Sequence, residues 1–303
     1  MSFAYLQLAV VTVLQPWLMI GLSAALVPYT IVRVILSGNF QPLFSPSDFS
    51  EELFSNVWVI LGPQAKAGAQ DLIIPLLEGK VSGGKVHKEV VSVPLHGTVL
   101  EVGAGTGEWA DVLARIHAGE TANSGVKDGL RSRKKVESAG AITKIYGVEP
   151  GAHQAAALRK RVRDVGLGDV YEVVPVGIES VPDSSAWDGK IEPGSVDCIV
   201  GIRCMCSIPE PEKNIELLYK LLKPGGSWYI FEHVKTSRGA PLVPLYQRFV
   251  NSIWMWFMGS CRLCRTTDQT LRQVGTWKKF DLTMLPDEPA YSVLPHVIGV
   301  LTK

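Results

Sequence analysis

Val99-Leu100-Glu101-Val102-Gly103-Ala104-Gly105-Thr106-Gly107 is an apolar run that stops at an alternation of glycines. Thr98 to Val102 has the length and composition of a buried parallel strand. The glycines let the chain turn tightly and approach a ligand with no side chain in between. Trp109 to Ile116 then repeats apolar residues at helical spacing. Strand, glycine loop and helix in that order open a ligand-binding α/β unit.

The alternation continues downstream. Lys144 to Val148, Val170 to Val174, Val196 to Val200 and Ser227 to Phe231 read as strands. Helices fall at Ala155 to Val165 and at Ile215 to Leu222, the latter ended by Pro224 and two glycines. Phe280 to Leu285 and His296 to Leu301 supply two final strands. The fold class is therefore α/β: a Rossmann-like, doubly wound seven-stranded sheet, with its ligand at the carboxyl ends of the strands. Within residues 97–303, the stretch 118–141 is polar and has no hydrophobic period. It carries Arg131, Arg133, Lys134 and Lys135, and reads as a surface insertion.

Upstream, Ser2 to Val32 carries no charged side chain, and the first is Arg33. About 20 apolar residues cross a hydrocarbon core, so residues 1–38 read as a hydrophobic membrane segment. The cationic start of a cleaved signal is missing. Pro16 and Pro28 predict a kink, a tilt or a shallow hairpin; a buried core helix is the alternative. Residues 39–96 read as a linker with lid helices. Leu53 to Leu61 is apolar, Pro63 and Gly68 interrupt it, and Asp71 to Leu77 forms another short helix. The cluster from Lys80 to Lys85 reads as an exposed turn.

A formal charge of +1 excludes a globally basic, nucleic-acid-coating surface. The five cysteines, an odd number mostly in apolar context, predict reduced thiols in a cytosol-facing domain. No obligate protein partner is evident in the sequence.

A glycine loop alone does not separate nicotinamide, flavin and S-adenosylmethionine (SAM) sites. Two features favour SAM. The spacing is a tight E-x-G-x-G-x-G, and the next strand ends in Glu149, whose carboxylate can accept both ribose hydroxyls. In dinucleotide enzymes the acid follows the loop by about 20 residues, whereas here the insertion stretches the interval.

The glycine loop, Val148-Glu149-Pro150, the strand around Asp197 and the Leu221-to-Val234 segment with its Lys-Pro-Gly-Gly turn together resemble class I SAM-dependent methyltransferases. Glu232-His233-Val234, Trp254, the cysteines around Leu263 and Arg265, and Pro295 to Gly299 resemble the membrane-anchored thiol methyltransferases of the methyltransferase-like group. The resemblance implies a methyltransferase domain at 97–303 with SAM as cofactor. It places the cofactor contacts at Glu101, Gly103, Ala104, Gly105, Gly107, Glu149, Pro150, Ile178, Glu179 and Cys204. Many superfamily members carry an Asp where Gly177 or Ile178 stands, so backbone groups are expected to meet the adenine.

Methyl transfer from a sulfonium is an in-line displacement that needs alignment and desolvation more than a base. His233, at the carboxyl end of the fifth strand, is the candidate base, or else a loop-holding histidine. Cys206 and Ser207 line the pocket or fill core; Asp197 fixes a strand edge. Cys261 and Cys264 form C-x-x-C, but no second pair accompanies them, so no metal is expected. The helical aromatics Phe249, Trp254 and Trp256 cap a substrate, meet a membrane or pack in the core. Arg159 to Arg163 reads as a solvated basic helix end.

The expected protein is a membrane-held SAM-dependent methyltransferase of a lipophilic small molecule, with a thiol acceptor favoured. The alternatives are O- or N-methylation of a secondary metabolite, quinone or lipid, and a non-catalytic membrane scaffold. Methylation of RNA is disfavoured by charge and anchor. The expected location is the endoplasmic reticulum or lipid droplet, with the catalytic domain facing the cytosol, where SAM and reduced thiols are found.

Overall fold

A computed structural model describes residues 3–119 and 140–303. The insertion expected at 118–141 lies, apart from its ends, outside the described residues.

The chain opens with two long helices, α1 (Phe3–Ser37) and α2 (Pro46–Leu77). Each runs unbroken past two prolines, Pro16 and Pro28 in α1 and Pro63 and Pro75 in α2. The break expected at Pro63 and Gly68 is absent. An interior proline costs about 3 kcal/mol, and tertiary packing offsets it. Leu53, Val57, Ala69, Ile73, Leu76 and Leu77 are all buried along one continuous α2. The apolar window of α1 is only 17% buried, which is not how a core helix sits. Arg33 and Asn56 join α1 to α2 at 2.6 Å, and Asn56 also donates to Thr30 Oγ1 at 3.0 Å.

A two-strand hairpin, β1 (Val81–Ser82) and β2 (Lys85–Val86), occupies the expected turn. Then come β3 (Gly97–Val102), α3 (Ala110–His117), β4 (Ile142–Val148), α4 (Ala152–Asp164), β5 (Tyr171–Val174) and β6 (Val196–Ile202). They are followed by α5 (Pro211–Leu221), β7 (Leu222–His233), α6 (Leu242–Phe257), α7 (Thr267–Gln273), β8 (Lys279–Met284) and β9 (His296–Thr302). The sheet order is β5-β4-β3-β6-β7-β9-β8. Pairing is parallel from β5 through β7, and β9 runs antiparallel to both neighbours. The sheet is thus mixed at one edge. No helix connects β8 to β9, and without a crossover the chain can only return antiparallel.

Successive strand residues face opposite sides. Val99, Cys198 and Val200 pack with α2, α3 and α4 on one face. Leu100, Ile199 and Ile230 pack with α5 and α7 on the other. The chain order reverses between β3 and β6, so the crevice for a ligand opens at their carboxyl ends.

Candidate active site

Gly103, Gly105 and Gly107 all adopt left-handed φ, at +67°, +57° and +88°. A Cβ on Gly103 would overlap Cys204 Cβ, so only glycine lets the loop lie against the turn after β6. One on Gly105 would come within 2.8 Å of Glu108 Oε2.

Glu149 ends β4 beside this loop. Its two carboxylate oxygens accept from the Gly105 N–H and the Gly151 N–H, both at 2.9 Å. Each oxygen keeps a lone pair for a further donor, which is the capacity a ribose diol requires. Burial raises the Glu149 pKa, and the two backbone donors work against that shift. Pro150 is exposed on the turn into α4. Ile178 sits in one apolar cluster with Val102, Val148, Val174 and Cys204, while Glu179 folds back over Gly177. Gly103 to Gly107, Glu149, Ile178 and Cys204 thereby border one crevice.

Glu101 is placed differently from those residues. It is buried under the loop and accepts from Tyr171 Oη at 2.5 Å. Burial lifts its pKa to about 7, with the Tyr171 bond opposing. A Cβ on Gly147 would collide with the Tyr171 ring, so glycine there opens the passage for the tyrosine.

Helix α2 crosses above the crevice. Ser55 bonds Gln154 of α4, Gly62 abuts Glu108, and Lys66 pairs with Asp111 of α3 at 2.5 Å.

Next to the crevice lies a cavity of about 440 Å³. Leu18 and Met19 of α1, Trp58 and Leu61 of α2, Trp254 of α6 and Met258 just after it give it apolar walls. Arg203, Cys206, Ser207, His233, Cys261 and His296 supply its polar end. Adjacent residues of β7 divide the work. Glu232 Oε1 accepts from the Cys204 and Met205 N–H groups at 2.6 and 2.9 Å, fixing the turn after β6, while His233 faces the cavity. His233 Nε2 lies 3.3 Å from Cys261 Sγ, and Cys261 Sγ lies 3.8 Å from Cys206 Sγ. Burial alone would depress the His233 pKa, but Cys206 and Glu232 outweigh it and raise it. The Cys206 neighbour lowers the Cys261 pKa, whereas Cys206 itself is pushed up.

Residues 69–283, over two thirds of the chain, match the methyltransferase domain family. The chain belongs to that family. Those residues are a methyltransferase domain laid over the sheet described above. The chain is 27% identical over 117 residues to the thiol S-methyltransferase TMT1B of Rattus norvegicus, covering 38% of this chain and 46% of that one. To the thiol S-methyltransferase TMT1A of Homo sapiens it is 24% identical over 115 residues, with coverage of 38% and 46%. The matched part spans about half the length of these curated relatives. Among solved structures it is similar to a geranyl diphosphate methyltransferase in complex with SAM, with TM-score 0.47 and 12% identity, covering 82% of this chain and 89% of that one.

Three features of the site are not legible in the sequence. Arg203 is a non-glycine residue at φ +54°, half-buried with its guanidinium 5.0 Å over the Phe231 ring and bonded to Ala65 O at 2.8 Å. No local pattern marks such a residue. His296 stacks on Phe231 at 4.9 Å and pairs with Glu288 at 2.6 Å. Finally, C-x-x-C is not a pair in space. Cys264 Sγ lies 4.0 Å from Gln247 Oε1, while Cys261 turns toward Cys206 and His233. Asp197 lies at the far end of β6, bonded to Thr98 N and Lys223 Nζ at 2.8 and 2.7 Å.

Proposed function

We propose that this methyltransferase S-methylates a lipophilic small-molecule thiol that it draws from a membrane. The observation carrying the reading is the cavity itself. Its walls come from α1, α2 and α6, and its polar end abuts the cofactor crevice through Arg203 and Cys204. Likeness to thiol S-methyltransferases over part of the chain supports the choice of acceptor atom. The outward apolar side chains of α1 and α6, among them Leu14, Val32, Leu36, Phe249 and Trp256, support membrane contact. An endoplasmic reticulum or lipid-droplet surface, with the domain on the cytosolic side, suits the five free cysteines.

SAM supplies the electrophilic methyl group. Glu149 receives its ribose hydroxyls, and the glycine loop, with Ala104, Pro150, Ile178, Glu179 and Cys204, borders the rest. Glu101 acts from beneath, tying β3 to β5 through Tyr171. The apolar walls exclude water and align the acceptor, which is most of what an in-line displacement needs. His233, buried at the polar end, takes the acceptor proton.

The test is a panel of alkyl thiols, phenols and amines offered with SAM to the full chain in detergent or bilayers. Thioethers should form fastest, and faster as the alkyl chain lengthens. Preferential methylation of phenols or amines would replace the thiol reading. SAM binding without any transfer would favour a membrane scaffold.

A further inference from the structure

Three sequence-distant side chains converge at the polar end of the cavity. The ligand atoms of Cys206, His233 and Cys261 all lie within 4.8 Å of one another, and all three residues are buried and line the cavity. A tetrahedral zinc has Zn–S near 2.3 Å and Zn–N near 2.0–2.1 Å, which sets edges of about 3.8 Å between sulfurs and about 3.6 Å between sulfur and nitrogen. The observed separations are 3.8 Å for Cys206 Sγ to Cys261 Sγ and 3.3 Å for Cys261 Sγ to His233 Nε2. Among the described residues His233 Nδ1 has no hydrogen-bond partner, and its Nε2 faces the Cys261 sulfur. Two thiolates and an imidazole are a borderline-soft donor set, and three protein ligands with an open fourth position are the pattern of catalytic rather than structural zinc.

We propose that Cys206, His233 and Cys261 bind one zinc ion whose fourth position opens into the cavity and takes the sulfur of the acceptor. This rests on the thiol reading above and changes the part His233 plays, from free base to ligand. The acceptor R–SH binds zinc through sulfur and releases its proton to solvent. A lone pair of the bound thiolate forms the new S–C bond to the methyl carbon. The sulfonium C–S bond breaks, and its electron pair stays on the cofactor sulfur. The products are R–S–CH₃, S-adenosylhomocysteine and one proton. The neutral thioether is a weaker ligand than the thiolate and leaves the metal.

The full chain in detergent, stripped with chelator and reloaded with cobalt(II), reads the site without any turnover. One equivalent of cobalt should bind and give tetrahedral d–d bands with thiolate charge-transfer bands. Cys206→Ser and Cys261→Ser should each cut the charge-transfer intensity roughly twofold, since each removes one of two thiolates. Cys264→Ser should leave it unchanged. Adding decanethiol should shift the d–d bands as the fourth position fills. A wild-type chain that binds SAM but neither holds cobalt nor shows these bands overturns the site. So does undiminished thiol methylation after chelation, because a histidine base then suffices. A chain that holds one equivalent yet methylates only phenols or amines keeps the metal and loses the thiol reading, so the two failures are distinguishable.

Discussion

Glu101 is an acid held where charge is costly, and this ties stability to pH. Its pKa is lifted from 4.5 to about 7 by burial. The folded state therefore holds this proton more tightly than the unfolded chain does. That contribution is complete below pH 4.5 and disappears as pH rises through about 7. Between pH 5 and 8 the wild type should lose about 2.5 kcal/mol from this group. Glu101→Gln keeps an acceptor for Tyr171 and should lose none of that amount. Thermal melts of both proteins across this range check it, and parallel curves would refute it. Gly103 makes a second point at the same scale. An alanine there must hold φ near +67° and place a methyl into Cys204. Strain of roughly 1–3 kcal/mol should weaken SAM binding at least about tenfold in calorimetry. An unchanged Kd would mean that the loop can move away without cost.

Among the elements, α6 is tied to three neighbouring segments through Gln247. Gln247 is fully buried; its Oε1 accepts from Thr236 N at 3.0 Å, and its two N–H donors are shared among the carbonyls of Val234, Leu263 and Val293, at 3.2, 3.1 and 3.0 Å. These carbonyls belong to the segments after β7, after α6 and before β9, which meet around the polar end of the cavity. Gln247→Leu keeps the volume but orphans several buried backbone groups, so it should cost roughly 2–5 kcal/mol in denaturant unfolding. A loss under about 1 kcal/mol would show that water replaces the amide. The helices also show where local rules gave way. Pro63 and Gly68 argue for a break, yet α2 continues because its two halves do different work. The first covers the crevice through Ser55, Trp58 and Gly62, and the second packs Ala69 to Leu77 on the sheet.

At the scale of the whole molecule, α1 is both an outer apolar surface and a wall of the cavity. Trp17 Nε1 bonds Tyr246 Oη at 2.7 Å, and Tyr246 in turn bonds Val13 O at 3.0 Å, so α1 docks on α6. Met19 reaches the cavity from this helix. Met19→Trp should narrow the space and raise KM for long-chain acceptors at least about tenfold, roughly 1.4 kcal/mol of lost binding. SAM affinity should stay unchanged, because Met19 borders the cavity and not the glycine loop. Equal KM values for short and long acceptors in both proteins would detach α1 from acceptor binding.

The strand-to-glycine-loop passage, Glu149 and the alternation of strands and helices were enough to assign the α/β fold and the cofactor, because these signals are local. Glycine is needed wherever φ turns positive, and period-two burial is written along each strand. The antiparallel return of β9, the unbroken α2 and the left-handed Arg203 were not written there. Nor was the meeting of Cys206, His233 and Cys261, which lie 27 to 55 residues apart in sequence. The C-x-x-C spacing says nothing of the neighbours of Cys261, which come from the turn after β6 and the end of β7. Side chains that distant become neighbours only when sheet order and helix docking fix their positions, so tertiary structure alone decided which groups meet at the polar end of the cavity.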